Sequence, residues 1–133
     1  MEFQFFDPVN GVIAIDLSRT YTGLDAIFQR IAYTFVTVIG EKLPQTDDTD
    51  RWIDSEWNEF QTAGEARKRD TAVAWLAEAV SRIKLSDVKY RRPDYEALAS
   101  LDVESVTIME DTIHIITTLT ARSGSAAEYL IRG

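Results

Sequence analysis

The feature that most restricts the fold is a long alternating pattern near the C-terminal end, from Thr112 to Ala121. Because successive side chains of a strand point to opposite faces, the pattern predicts a strand with one apolar and one mixed face. The apolar face comprises Ile113, Ile115, Thr117, Leu119 and Ala121. The stretch Val103 to Ile108 precedes this strand across the turn-like pair Glu110-Asp111. The two stretches therefore predict a β-hairpin.

A third strand is predicted after the hairpin. Ser123-Gly124-Ser125 is a turn signal, and Ala127 to Ile131 then returns along the sheet. At the other end of the chain, Asn10-Gly11 separates Phe5-Phe6 from an apolar run. Residues 1–20 are therefore expected to form a short hairpin or an arm.

Two stretches between these β regions carry apolar residues at helical spacing. The first runs from Thr22, where a capping box with Asp25 is expected, to Gly40. The second spans roughly Glu65 to Arg82, and Thr62 stands at the capping position relative to Glu65. The sequence therefore predicts two long helices before the sheet.

The intervening segments have weaker signals. Trp52 to Phe60 predicts a short helix, inside an acidic segment 41–60 that carries seven acidic and two basic residues. Leu85, Val88 and Tyr90 suggest a strand that ends at Pro93, and Tyr95 to Ser100 is expected to be a loop with one helical turn.

The expected fold class is α+β: two long helices and a short one packed on a small, mainly antiparallel C-terminal sheet. The length of the chain, 133 residues, predicts a single domain, 1–133.

Composition restricts the classes of partner. The chain has a net charge of −8, which opposes the counterion release that drives nucleic-acid binding, so no nucleic-acid partner is expected. It contains no cysteine and has no apolar run of about 18 residues, so we expect no disulfide framework and no membrane partner. Synthesis in the cytoplasm is the expected origin.

Catalytic and metal-binding signals are weak. The single histidine, His114, lies mid-strand without a nucleophile elbow, and one histidine cannot anchor a zinc site. Asp48, Asp50 and Asp54 lack the register of a calcium-binding loop, and the six glycines form no phosphate-binding motif. Because the chain has 22 Asp and Glu residues, the sequence does not single out two carboxylates as the catalytic pair of a glycosidase. We therefore expect no catalytic residue, no metal and no cofactor.

The remaining signal is the sheet edge. Consecutive strands without proline or clustered lysine offer unpaired backbone N–H and C=O groups to another chain, which can add a strand. The alternative, which the sequence leaves open, is a sheet whose edges are covered by the chain's own arm.

Three stretches carry a family resemblance. Asp25 to Ile31, continued by Thr37 to Leu43, looks like a first helix that ends in a Thr-x-x-Gly-Glu-Arg turn, with Lys42 in place of arginine. Ala79 to Val88 is similar to a second helix and the strand after it, and Val106 to Ile115 with the last strand resembles a C-terminal sheet. Together they resemble the baseplate wedge and sheath-initiator family of contractile phage tails, which includes the matching component of type VI secretion baseplates.

The resemblance implies a non-enzymatic virion protein of the tail baseplate, assembled in the host cytoplasm, that initiates sheath assembly by β-strand augmentation. The implied partners are tail sheath subunits and other baseplate wedge proteins, with the tail tube or hub as a further contact. The implied partner-binding residues are Arg82, Val106, Ile108, Thr112, His114, Ile116, Thr118, Tyr129 and Ile131. Of the family's Glu-Pro-Arg signature only Arg82 carries over, with an expected role at the junction of helix and sheet.

Two other functions are compatible with the sequence. Some members of the family carry a lysozyme label, so a cell-wall hydrolase domain is one alternative. The other is a regulatory protein-binding module of the same fold.

Overall fold

A five-stranded antiparallel sheet and two helices make up the described part of the protein. The computed structural model describes residues 4–7, 11–12, 22–42, 64–109 and 112–133. The strands are β1 (Gln4–Asp7), β2 (Gly11–Val12), β3 (Leu98–Met109), β4 (Thr112–Ala121) and β5 (Ala126–Arg132). The helices are α1 (Gly23–Lys42) and α2 (Glu65–Lys89), and a 3-10 turn, Asp94–Glu96, precedes β3.

The strand order is β2-β1-β5-β4-β3. The three C-terminal strands follow one another as a meander, and the hairpin between β4 and β5 turns at Gly124, whose φ of 95° suits glycine. The N-terminal hairpin, confirmed by the pairing of Phe6 with Val12, joins this meander through β1, which pairs with β5. The chain's two ends therefore meet within one sheet.

Both helices pack on the same face of the sheet, so the α+β class expected from the sequence is confirmed. The alternation of β4 is also confirmed: every second residue from Ile113 to Ala121 is buried. The sheet contacts α1 through a pair of stacked rings: Phe28 of α1 and Tyr129 of β5, whose ring centroids are 4.0 Å apart. Phe5 of β1 packs edge-on against Phe28 and Phe35.

The end of α2 corrects one expectation. Leu85, Val88 and Tyr90 were expected in a strand, but α2 runs to Lys89 and all three side chains are exposed. The helix continues because no glycine or proline occurs before Pro93, and because the buried Asp87 holds its last turn in place. It ends where Arg91 takes a φ of 49°.

Other boundaries also move. The expected loop Tyr95 to Ser100 is shorter than predicted, since β3 already begins at Leu98. The N-terminal residue before α2 is Gly64, without a side-chain cap, and the capping residue expected at Thr62 lies outside the described residues. The short helix expected from Trp52 to Phe60, and nearly all of the acidic segment around it, also lie outside them.

Candidate protein-binding site

β3 forms one edge of the sheet. It pairs with β4 on one side, and within the described ranges no strand pairs with its outer side. At 12 residues it is the longest strand of the sheet. β5, in contrast, lies between β4 and β1, so both of its sides are paired.

The direction of the ladder hydrogen bonds identifies the free backbone groups of β3. Ile113 and Gly133 exchange reciprocal bonds at 2.6 and 2.9 Å, so the N–H of Ile113 points towards the β5 side of β4. Because backbone groups alternate along a strand, His114, Ile116 and Thr118 point towards β3 instead. Their partners on β3 are Thr107, Ser105 and Asp102. The alternate β3 residues, Leu101, Val103, Val106 and Ile108, therefore present their N–H and C=O groups to the open edge.

Two irregularities divide this edge into short segments. The pairing skips Ala99 and Glu104, each of which is an extra residue on β3. An extra residue of this kind raises the local twist and interrupts the ladder, which limits unspecific pairing at an edge. The second one also resets the alternation, so that Leu101, Val103, Val106 and Ile108 all face the helices opposite the apolar residues of β4.

A groove of about 390 Å³ lies between the beginning of β3 and α2. Its apolar lining comprises Val73, Leu76, Ala77, Val80, Leu101 and Val103. Ser81 and Lys84 add the polar part of the lining. Because Val73, Ala77, Val80 and Lys84 follow one another at helical spacing, one stripe of α2 forms the wall that faces the edge strand.

A buried carboxylate ties the beginning of β3 to both helices. Asp87 is fully buried and accepts hydrogen bonds from the guanidinium of Arg30 on α1 and, at 2.8 Å, from the backbone N–H of Leu98. Arg30 also donates to the carbonyl of Glu96. The Nε of Arg92 lies 3.4 Å from Asp87, close enough for an ion pair. This cluster fixes the position of the edge strand relative to the groove.

The sheet face opposite the helices carries four of the residues expected to bind a partner. Thr112, His114, Ile116 and Thr118 are all half-buried and share this face. Cross-strand pairing places Ile116 beside Leu130, which in turn pairs with Phe6, so a short apolar row crosses the sheet. Arg132 lies 5.0 Å from the Phe6 ring centroid, next to this row.

Four other residues that were expected to bind a partner lie on two different strands, β3 and β5. Val106 and Ile108 belong to the open edge and turn their side chains towards the core. Tyr129 and Ile131 are buried in the core, and β5 is paired on both sides. Their side chains therefore hold the sheet to α1: Tyr129 stacks on Phe28 and donates a hydrogen bond to Asp25 at 2.9 Å.

Arg82 has a different position from the one expected. It lies on α2 and donates to Glu41, at 3.1 and 2.6 Å, and to Glu78, at 3.0 Å. Arg82 therefore joins the two helices and not the helix and the sheet. The hydrogen bonds that Arg82 donates, first to Glu41 and then to Glu78, raise the pKa of its guanidinium above the ordinary value.

Asp87, Lys84 and the role of β3 as the sheet edge were not predicted from the sequence. Asp87 appeared only as part of an expected strand, because nothing in its local pattern indicates that an acidic residue will be buried.

Among the described residues, no group of three or more His, Cys, Asp or Glu side chains is arranged to hold a metal ion. Neither described helix has the length and apolar character needed to cross a bilayer.

Comparisons with known proteins add no further identification. No family model, no curated protein and no solved structure matches the chain.

Proposed function

We propose that this protein is a non-enzymatic binding component of a larger assembly, and that it binds by accepting a partner strand at the outer edge of β3. The observation that carries the proposal is the row of outward-facing backbone groups at Leu101, Val103, Val106 and Ile108. In strand addition, main-chain hydrogen bonds supply affinity, and alternate side chains supply specificity. The open edge offers both, because the apolar groove of α2 lies next to it.

The proposed partner class follows from the resemblance of the sequence to sheath initiators of contractile tails. In that setting the partner strand belongs to a tail sheath subunit, and other baseplate wedge proteins hold the chain in the baseplate of the virion. The half-buried face around His114 and Ile116 is then the candidate surface for a wedge or tube contact. β4 and β5, which were expected to take part in strand exchange, instead support β3 from inside the sheet.

Proline at Val106 is expected to weaken this binding while leaving the fold intact. Val106 turns its N–H outwards, so proline removes a donor that no other part of the described sheet uses. We expect the affinity for the tail-sheath protein encoded in the same genome to fall about tenfold or more, since one interchain hydrogen bond is lost and the ring obstructs the approach. Surface plasmon resonance measures the affinity, and urea unfolding monitors the fold.

Two further variants are the controls. Val106→Thr keeps the N–H and nearly the same shape, so it should bind as the unchanged protein does. Thr107→Pro changes the neighbouring residue, whose N–H points to β4, and should cost about 2–3 kcal/mol of stability. Proline at Ile115 would not test binding at the β3 edge, because the N–H of Ile115 bonds to β5 and its loss would disrupt the sheet itself. Undiminished sheath binding by Val106→Pro would refute strand addition at this edge.

We also propose that the chain does not cleave peptidoglycan. His114 pairs across the sheet with Thr107 and Arg132 and has no carboxylate among these cross-strand partners to orient it as a base. Purified protein should therefore leave the turbidity of a cell-wall suspension unchanged over hours. A steady decrease in turbidity that survives further purification would instead favour the hydrolase alternative.

A further inference from the structure

The helical wall of the groove between α2 and β3 has the length of a short strand. This wall extends from Val73 to Lys84, about 16 Å along the helix axis at about 1.5 Å per residue. An extended strand covers the same distance in about five residues, of which alternate side chains face the same way. A strand added to β3 would therefore direct two or three side chains into this groove.

The two ends of the groove differ in chemistry. Most of the wall is apolar, but Lys84 is exposed at one end and forms no ion pair with any residue in the described part of the chain. Because the chain reverses between α2 and β3, and Asp87 bonds to Leu98, the Lys84 end lies towards the beginning of β3. An ammonium group at this position is complementary to a carboxylate.

We infer that the groove selects an antiparallel partner strand with apolar residues at alternate positions and an acidic residue at the last inward position. The inference rests on the proposed strand addition and names the chemistry of its partner. In an antiparallel arrangement the end of the incoming strand lies beside the beginning of β3, where Lys84 is located. The apolar positions contact Val80 and Leu101, and the acidic side chain pairs with Lys84 and fixes the register.

The test uses three blocked synthetic peptides and the full chain labelled with ¹⁵N. The peptides read Thr-Val-Thr-Val-Thr-X-Thr, where X is Glu, Gln or Lys. We expect the Glu peptide to shift the amide resonances of Leu101, Val103 and Val106. It should bind about three- to fivefold more tightly than the Gln peptide, the range that a partly exposed ion pair supplies.

A charge exchange tests the role of Lys84. Compared with the unchanged protein, Lys84→Glu should bind the Glu peptide more weakly and the Lys peptide more tightly. Lys89→Glu is the matched control, since it makes the same change of charge on the same helix outside the groove. Ala77→Trp, at an exposed helix position, should fill the groove and block all three peptides without unfolding the chain.

The outcomes separate the two proposals. Equal binding of the Glu, Gln and Lys peptides, with shifts on β3, would overturn the selection by Lys84 and leave strand addition in place. If no peptide shifted the β3 amides, strand addition itself would fail and the inference with it. Concentration-dependent dimers in sedimentation, with the same β3 shifts and no peptide, would assign the edge to a second copy and overturn the inferred partner.

Discussion

Replacing Asp87 by alanine is expected to lower the free energy of unfolding by about 3–5 kcal/mol. Asp87 is fully buried and satisfies the guanidinium of Arg30, the N–H of Leu98 and the charge of Arg92 at once. Its removal leaves a half-buried cation and a buried backbone donor without their partner, which costs more than the interactions themselves contributed. Chemical denaturation followed by circular dichroism measures the loss.

A double-mutant cycle identifies the cause. Arg30→Met removes the cation while keeping most of the apolar stem, and in the Asp87→Ala background it should cost much less than it does alone. Asp87→Asn keeps one acceptor for Leu98 and should fall between the unchanged protein and Asp87→Ala. The described role of Asp87 would be wrong if Asp87→Ala lost less than about 1 kcal/mol, or if the two changes were additive.

Much of the fold follows from local patterns in the sequence. β4 could be predicted together with its buried face, because a strand with one face on the core repeats every two residues. From Ile113 to Ala121 every second residue is apolar except Thr117, and all of them are buried. The two long helices follow from their apolar stripes in the same way. Such patterns report which face of an element is buried, but they do not report which element covers it.

The edge of the sheet could not be predicted because it depends on long-range pairing. Whether the outer side of β5 is free or covered is decided by β1, which lies more than 120 residues earlier in the chain. The pairs of Gln4 with Arg132, Phe5 with Ile131 and Phe6 with Leu130 show that it is covered. The sequence left these alternatives open. Tyr129 and Ile131 were expected to bind a partner, but both lie on β5, which proved to be an internal strand for the same reason.

One feature of the candidate site did have a sequence signal. On β3 the apolar residues Leu101 and Val103 are two apart, but the next one, Val106, follows after three. A strand that keeps all three on one face needs an extra residue, and Glu104 is that residue. Asp87 and Lys84 had no comparable signal, because a lone charged residue on a helix is usually solvated.

Replacing Phe5 by alanine is expected to release β1 and expose the second edge of the meander, at a cost of about 3–5 kcal/mol. Phe5 is buried and holds β1 against α1 through its edge-on contacts with Phe28 and Phe35. β1 contributes only four residues to the sheet, so few backbone bonds remain to hold it once the ring is gone. The unpaired β5 edge would then compete with β3 for partner strands.

Hydrogen exchange resolves this effect by residue. The bonds of β5 to β1 come from Leu130 and Arg132, whereas Tyr129 and Ile131 bond to β4. In Phe5→Ala, the amides of Leu130 and Arg132 should therefore exchange much faster, and those of Tyr129 and Ile131 should stay protected. Phe6→Ala is the matched control, because Phe6 lies on the opposite face and is only half-buried. If Leu130 and Arg132 kept their protection in Phe5→Ala, the Phe5 ring would not be what holds β1 over this edge.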